Sequence, residues 1–359
     1  MKSYWREYII FLLAWVGATC LWVLIRFVGL SSVPAFATLD YESLNHTLLF
    51  RKAVIVGSVI GTLFFFINQA IDTPKIRQRP YAVLIMIQML SAILFVTLVL
   101  VGLSLADLLA SNEEFKLSVF KSRLINVNFF VILIYYILVS FILVMIKQIN
   151  RMFGPGNLRK LIIGAFYHPR EVELIFMFLD LKDSTSHAER LGHLKFGNLI
   201  QDCFMDKSAV VAFGAKFYQY IGDESILFWD VDEGIQNANC LRAYYAFTHR
   251  LEERRDYYES KYGVMPEFKA GVNIGLATVL EVGEIKRDIA YLGDVLNTAA
   301  RIQGQCSVYG ENLIISGSLL KRFKSIPDHI DIDAIGETNL KGRSEAVHLY
   351  RVRERPESE

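Results

Sequence analysis

Two carboxylates stand at points where apolar, strand-like segments end. Asp180 follows the nearly unbroken apolar run 173–179, and Asp223 follows Gly222 between two segments rich in β-forming residues. If the hairpin strands on either side of Gly222 lie beside the first strand, the two carboxylates converge. Two carboxylates on neighbouring strands can hold two Mg²⁺ ions ~3.5–4 Å apart, which clamp the attacking and leaving oxygens of a phosphoryl transfer. The alternative for Asp223 is that it only forms a tight turn.

The segment after Asp180 is predicted to open a helix. Asp180 is followed by Leu181, Lys182, Asp183, Ser184 and Thr185. Free backbone N–H groups at such a helix start can receive an anion beside the carboxylate. An Asp or Ser at this point is more often simply a helix cap. Both interpretations fit the sequence.

A third polar segment begins at Gly293. A helix is predicted to start there with Asp294 as its cap, which places Asn297 and Arg301 four residues apart on one face. An amide can orient a ribose, and a guanidinium can fork onto a phosphate. The alternative is an exposed pair without a chemical role.

Taken together, the three segments resemble the catalytic domain of class III nucleotidyl cyclases, the adenylate and guanylate cyclases. Residues 178–185 resemble the first metal-aspartate motif, 221–224 the second and 293–301 the transition-state motif, in the family's order. Lys341-Gly342-Arg343 resembles a basic element that meets the triphosphate. The resemblance covers residues 172–352.

The resemblance implies an α+β, ferredoxin-like domain that works as a head-to-tail homodimer with its sites at the interface. Asp180, Leu181 and Asp223 would bind two divalent cations, Mg²⁺ or Mn²⁺, and Asn297 and Arg301 of the second copy would position the ribose and stabilise charge on the α-phosphate. The substrate's 3′-hydroxyl attacks that phosphorus and pyrophosphate leaves. The remaining substrate contacts implied are Ser184, Thr185, Lys341 and Arg343.

The base-selecting positions depart from the family's usual residues. They hold Gln219 and Ala290, where adenylate cyclases often carry Lys and Asp or Thr. Gln219 can still read a base edge, whereas Ala290 offers no side-chain hydrogen bond. ATP is favoured as the substrate, as in bacterial membrane cyclases of this layout, and GTP is the alternative. A silent, dimerising signalling module would be expected to lose a metal-binding Asp or the Asn–Arg pair, and none is lost.

The elements that must position these residues can be read from periodicity and turn residues. Neither a Rossmann glycine fingerprint nor a phosphate loop occurs. The predicted strands are 173–181, two within 215–229, 268–281, 284–292, 312–316 and 348–352. The predicted helices are 185–211 with a break at Gly192 or Gly197, 235–262 and 295–306.

The first half of the chain has a different composition. Of 38 Lys+Arg and 37 Asp+Glu in 359 residues, residues 1–150 carry only 12 and 7, so this half is basic and sparsely charged while the rest is slightly acidic. Four apolar segments, 8–30, 53–70, 81–105 and 124–146, are long enough to span a bilayer as helices. The second is the shortest, and its pattern can be extended back to residue 48. The first is too long for a signal-peptide core, so we expect it to be retained.

Basic residues flank these segments on one side. They occur before the first span, between the second and third, and after the fourth, which predicts that both termini and the catalytic domain are cytoplasmic at the plasma (bacterial inner) membrane. The predicted organisation is a transmembrane domain over 1–147, a connector over 148–171 and a catalytic domain over 172–359. In the connector, Gly154-Pro155-Gly156 breaks the helix before a short predicted helix, 158–166.

Several function classes are disfavoured. The balance of charges excludes a generic nucleic-acid binder, and four scattered cysteines disfavour a zinc site or a disulfide framework. The spans hold too few polar residues for a transporter, so their amides are expected to hydrogen-bond between helices. These amides are Asn68, Gln69, Gln88, Asn126 and Asn128.

Overall fold

The computed structural model describes residues 2–25, 46–73, 76, 79–110, 127–154, 157–285, 287–339 and 346–355. The chain divides into two compact units, Met1–Pro155 and Gly156–Glu359.

The N-terminal unit is helical. Among its described residues, four helices are long and apolar enough to cross a membrane, which confirms the predicted number. Their apolar side chains pack around Trp15, Phe64 and Phe65, which are completely or almost completely buried. The helices are α1 (Lys2–Val23), α2 (His46–Ile71), α3 (Tyr81–Ala110) and α4 (Val127–Phe153).

Some amides in these helices link neighbours, as predicted. The Gln69 amide of α2 donates to Glu7 of α1 at 3.2 Å, and Gln148 of α4 donates to Gln88 of α3 at 3.0 Å. The prediction for Asn68 was wrong, because its amide donates to the carbonyl of Phe64 in its own helix. Asn126 and the side chain of Asn128 lie outside the described residues.

Charged residues at one end of this unit form a cluster that joins three helices. Arg151 of α4 donates two hydrogen bonds to Asp72, just after α2, at 2.9 and 2.8 Å. The ammonium of Lys147 lies 3.1 Å from Glu7 and 3.4 Å from Asp72. We call these four residues the helix-end ion cluster; it holds two anions and two cations.

The C-terminal unit is built on one mixed sheet. In the described chain, eight strands join in the order β2-β3-β1-β4-β6-β8-β7, and β5 pairs with the later part of β4. The β4–β6 pairing is parallel and the others are antiparallel. The strands are β1 (Arg170–Leu181), β2 (Lys216–Ile221), β3 (Glu224–Asp230), β4 (Phe268–Val282), β5 (Asp288–Leu292), β6 (Leu313–Ser316), β7 (Ile330–Thr338) and β8 (Val347–Glu354).

Helices cover both faces of the sheet, so its central strand has apolar side chains on each side. In β1, Ile175 and Met177 join the larger core cluster, whereas Phe176 and Phe178 join a second cluster on the opposite face. This alternation explains the nearly continuous apolar run in the sequence. The helices are α5 (Asn157–Ile162), α6 (Ser184–Asp206), α7 (Val231–Ile235), α8 (Asn239–Glu252), α9 (Arg255–Tyr262), α10 (Asp294–Tyr309) and α11 (Gly317–Leu320).

The predicted elements differ from the structure in identifiable places. The expected break in α6 occurs at Gly192, whose φ of 73° is non-helical. The single helix predicted over 235–262 is wrong: α8 and α9 are separate helices, divided at Glu253 and Arg254. The predicted connector helix over 158–166 is shorter, since α5 ends at Ile162. The sequence pattern did not indicate β7 at all.

Candidate active site

The two predicted carboxylates meet at one end of the sheet. Asp180 is the penultimate residue of β1, and Asp223 lies in the turn that joins β2 to β3. Antiparallel pairing of β1 with β3 sets Leu179 opposite Ser225, which brings the two aspartates to the same edge. Burial, and then the negative charge of Asp223, raise the pKa of Asp180 above its ordinary value. Two partly desolvated carboxylates are thus crowded together.

Other residues of the chain give hydrogen bonds or ion pairs to only some of the oxygens of this carboxylate pair. Asp180 Oδ2 accepts a hydrogen bond from Gln303 Nε2 at 3.0 Å and lies 3.5 Å from the ammonium of Lys269. Asp223 Oδ2 is buried, and no residue that the structure describes gives it a hydrogen bond. Next to it, burial together with the charges of both aspartates raises the pKa of Glu224 to about 7. A buried anionic oxygen without a donor calls for a cation.

A buried lysine also lies at this end of the sheet. Lys207 is fully buried, and its ammonium donates to Ser225 Oγ at 2.7 Å. The ammonium also lies 3.9 Å from the ring centroid of Phe204 and 4.6 Å from that of Phe268. Burial lowers the pKa of Lys207 to about 7, although the nearby carboxylates favour its charged form. This cation is held by rings and a hydroxyl, so it offsets the aspartates without pairing with them.

Helix α10 is fixed against the sheet by a glycine. A side chain at Gly271 of β4 would bring its first carbon within 2.1 Å of the Gln303 nitrogen, so only glycine allows this approach. Buried Asn273 of β4 donates to the Val295 carbonyl at the start of the helix. The prediction that Asp294 caps α10 was wrong, because Gly293 occupies the cap position. Asp294 lies in the first turn of the helix, where it accepts a hydrogen bond from Thr298. These contacts fix the direction of the α10 side chains.

Asn297 and Arg301 lie on the side of α10 away from the carboxylates of their own chain. At 100° per residue, Arg301 is about 160° and Asn297 about 120° around the helix from Gln303, the residue that touches Asp180. Asn297 is exposed, and Arg301 is half-buried with its Nη1 lacking a hydrogen-bond partner among the described residues. One chain therefore does not bring all four predicted catalytic groups together.

The turn from β1 into α6 lies beside the carboxylate pair. Leu181 is buried, and Asp183 takes a left-handed conformation with φ 50°. The Asp183 side chain makes no capping hydrogen bond, so the simple-cap interpretation does not describe this residue. Ser184 is the first residue of the helix and Thr185 the second. The backbone N–H groups at this helix start remain suited to an anion.

The remaining predicted substrate contacts are spread more widely. Gln219 is an exposed residue of β2, and Ala290 is a half-buried residue of β5. Their neighbours Tyr218 and Tyr291 touch, with ring centroids 4.9 Å apart. Lys341 and Arg343 lie outside the described residues.

The residues present fit a divalent cation. Two carboxylates at a sheet edge, one with an unpartnered buried oxygen, supply the hard oxygen ligands that Mg²⁺ and Mn²⁺ prefer. Across the described ranges, no group of three or more His, Cys, Asp and Glu side chains could hold a metal ion. Mg²⁺ is usually bound by one or two carboxylates together with substrate phosphates, so the pair fits a cation that arrives with a nucleotide.

Sequence reasoning missed four polar residues around the pair: Glu224, Lys207, Lys269 and Gln303. Glu224 directly follows Asp223, so its position in the sequence alone marks it as a neighbour of the pair. Lys269 lies opposite Asp180 in the β1–β4 register, and Gln303 is visible only once α10 is placed. A lysine is ordinarily a surface residue, so nothing in the pattern marked Lys207 as buried.

Comparison with known proteins relates the chain to adenylate cyclases. It is 28% identical over 217 residues to Adenylate cyclase 2 of Rhizobium meliloti and 27% identical over 209 residues to the Adenylate cyclase of Anabaena cylindrica. These matches cover 60% and 56% of this chain, and 60% and 40% of those proteins. The chain thus matches less than two thirds of either relative. No protein-family model matches it.

A solved structure supports the fold assignment. The structure of a bacterial light-regulated adenylyl cyclase matches with a TM-score of 0.50 and 20% identity, over 60% of this chain and 63% of that one. The C-terminal unit has the fold of a class III cyclase catalytic domain, as the resemblance in sequence implied.

Proposed function

Starting from this kinship with adenylate cyclases and from the cyclase fold of the C-terminal unit, we propose that the chain is a membrane-anchored adenylate cyclase. It converts ATP to cyclic AMP and pyrophosphate and works as a homodimer. The observation that carries the proposal is the pair Asp180 and Asp223, two crowded carboxylates with one buried oxygen left without a partner. The reaction class that needs such a pair is metal-assisted phosphoryl transfer.

The metal ligands are Asp180, the Leu181 carbonyl and Asp223. Two Mg²⁺ or Mn²⁺ ions held there would supply Lewis acidity to the 3′-hydroxyl and to the leaving pyrophosphate. Gln303 and Lys269 orient Asp180 from the side. The N–H groups at Ser184 and Thr185 receive the phosphates, together with Lys341 and Arg343.

The direction of the α10 side chains supports a dimer. Asn297 and Arg301 face away from the carboxylates of their own chain, so a second copy must bring its Asn297 and Arg301 to them. Asn297 then holds the ribose and Arg301 neutralises charge that builds on the α-phosphate. A homodimer has two complete sites.

The chemistry of the base pocket supports ATP less directly. Gln219 is exposed on β2 and can donate to or accept from a base edge, while Ala290 adds no hydrogen bond. The sequence relatives are adenylate cyclases, which favours ATP. Topology is part of the proposal: the basic residues on one side of the four helices favour a cytoplasmic position for both termini and the catalytic unit.

The test uses the purified full chain in lipid with Mn²⁺ and either ATP or GTP. We expect cyclic AMP and pyrophosphate from ATP, loss of both in Asp223→Asn, and normal rates in Asp333→Asn, an exposed acidic control on β7. Cyclic GMP as the main product would instead make the chain a guanylate cyclase. Turnover of neither nucleotide would leave the silent dimerising module, and the proposal would fail.

A further inference from the structure

The segment that follows the last apolar helix has an unusual surface. Helix α5 contains no buried residue, and the side chains of Ile162, Ile163 and Tyr167 are 77%, 67% and 74% exposed. Three large apolar side chains so close together on a surface mark a contact with an apolar partner. We call Arg159, Lys160, Ile162, Ile163 and Tyr167 the connector face.

The connector face is held on a fixed support. Phe166 is buried in the second core cluster, and Leu161 packs against that cluster. The carbonyl of Phe166 accepts a hydrogen bond from the Glu281 nitrogen at 2.9 Å. The Arg170 guanidinium lies 5.2 Å from the Phe166 ring centroid. Because Leu161 and Phe166 point into the unit, the residues beside them point out of it.

Charge distinguishes the possible occupants of this face. Beyond the helix-end ion cluster, residues 152–170 contain three basic residues, Arg159, Lys160 and Arg170, and no Asp or Glu. Arg159 and Lys160 are exposed beside the apolar side chains. A second copy of the chain would bring a second basic segment to the first, and the two would repel. An anionic lipid surface offers the opposite charge and an apolar layer below it.

Chain length favours the same occupant. Only Gly154, Pro155 and Gly156 separate the end of α4 from the start of α5. Four Cα steps reach at most about 14 Å. If α4 spans a membrane, α5 starts near the surface where α4 emerges.

We propose that the connector face binds the cytoplasmic leaflet, with Ile162, Ile163 and Tyr167 at the level of the headgroups and Arg159 and Lys160 on anionic phosphates. This inference rests on the membrane anchoring in the proposed function. Short amphipathic, basic segments with aromatic residues lie in the membrane interface in this manner. The catalytic unit is then held to the bilayer by a second contact besides the spanning helices.

The experiment places an environment-sensitive bimane probe on Ile163→Cys in the full chain, reconstituted in nanodiscs of phosphatidylcholine alone or with phosphatidylglycerol. The matched control carries the probe on Leu194→Cys, an even more exposed apolar site on α6. The unsubstituted chain measures labelling of the native cysteines. We expect the probe at residue 163, and not that at residue 194, to shift to the blue and to be quenched by spin-labelled lipid.

The basic pair sharpens the test. The double substitution Arg159→Gln and Lys160→Gln is expected to lower the affinity of the connector face for anionic lipid about 30-fold, because each cation near an anionic surface contributes roughly fivefold. Equal and negligible quenching at residues 163 and 194 would overturn the inference. A blue shift that persists in detergent and grows with protein concentration would show that a second copy covers the face, which also overturns it. Retention of the chain in alkaline-washed membranes and its cyclase rate test the proposed function separately.

Discussion

Two charged clusters in this chain use similar residues in opposite ways. In the helix-end ion cluster, Glu7 and Asp72 are matched by Lys147 and Arg151, and Asp72 receives two hydrogen bonds from one guanidinium. At the edge of the sheet, three acidic groups, Asp180, Asp223 and Glu224, lie close together, and Lys269 pairs with Asp180. The comparison teaches that charge satisfied within the chain holds helices together, whereas charge left unsatisfied marks a place for a ligand.

The cations at the two sites show the same contrast. Arg151 donates hydrogen bonds to the Asp72 carboxylate, and the Lys147 ammonium lies within ion-pair distance of Glu7 and Asp72 without a hydrogen bond to a described residue. Lys207 instead donates to Ser225 and faces aromatic rings, so it reduces the repulsion between the aspartates but leaves Asp223 Oδ2 open. That oxygen therefore has no hydrogen-bond donor among the described residues, which leaves a ligand position for a cation.

The largest expected effect separates the two clusters directly. Asp223→Asn should lower cyclase activity on the order of 10³-fold or more, because stabilisation of the transition-state charge is lost. The same change should leave the metal-free unfolding temperature unchanged or higher, since it relieves carboxylate crowding. Cyclic-nucleotide assays and thermal unfolding measure the two quantities.

The matched change in the other cluster is Asp72→Asn. It leaves two cations without their buried partner, and breaking such a pair costs about 3 kcal/mol or more. The unfolding temperature should fall, while Mn²⁺ binding by the catalytic unit should be unchanged. If Asp223→Asn were the destabilising variant and Asp72→Asn the neutral one, the distinction between the clusters would be wrong.

A smaller effect is expected from a change in the close packing of α10 against β4. Gly271→Ala forces α10 away from β4, because the new carbon would lie 2.1 Å from the Gln303 nitrogen and 2.6 Å from the Ala299 carbonyl oxygen. Overpacking of this kind costs about 1–3 kcal/mol, and it displaces the contact between Gln303 and Asp180. We expect lower stability and weaker Mn²⁺ binding together.

Gly57→Ala is the counterpart in the N-terminal unit. Its new carbon would lie 2.8 Å from Val16 Cα, so α1 and α2 must separate. Stability should fall without a change in Mn²⁺ affinity. Electron paramagnetic resonance of Mn²⁺ compares both variants, and weakened Mn²⁺ binding in Gly57→Ala would contradict the separation of roles.

The smallest effect is a pH dependence of metal-free stability. The pKa of Glu224 is raised to about 7, so its stabilising contribution is complete below its ordinary value of 4.5 and is lost as pH rises through 7. The pKa of Lys207 is lowered to about 7, so its contribution is present above 10.5 and is lost as pH falls toward 7. Together they predict a minimum of stability near pH 7.

Unfolding temperatures without metal, between pH 5 and 9, measure this minimum. Glu224→Gln should remove the fall between pH 5 and 7, and Lys207→Met should remove the rise above 7. Added Mn²⁺ should raise stability most near and above neutral pH, because metal ligands must be ionised. A profile that neither substitution alters would show that these groups do not titrate as their burial requires.

Much of the candidate active site could be predicted, because each of its two carboxylates is marked by the segment around it. An apolar strand that ends at Asp180 and a glycine turn that carries Asp223 converge whenever their strands pair, as β1 and β3 do. The four membrane helices follow from composition over long windows.

What could not be predicted depends on contacts distant in sequence. In the sequence, Lys147 and Arg151 indicated only the orientation of the helices in the membrane, whereas the structure pairs them with Glu7 and Asp72. Lys207 read as a surface residue, because its burial depends on rings from three separate segments. Strand β7 has mostly half-buried and exposed residues, so its pattern carries little apolar signal.

We propose that the Asp180 and Asp223 pair of one copy is completed by Asn297 and Arg301 of another. Asp180→Ala and Arg301→Ala chains with different tags, co-expressed and purified by both tags, yield only mixed dimers. Each mixed dimer keeps one intact site of two, so we expect about half of the wild-type rate. Dimers of Asp180→Ala with Asp223→Ala have none and should stay inactive. Mixed Asp180→Ala and Arg301→Ala dimers that are as inactive as this control would contradict the account.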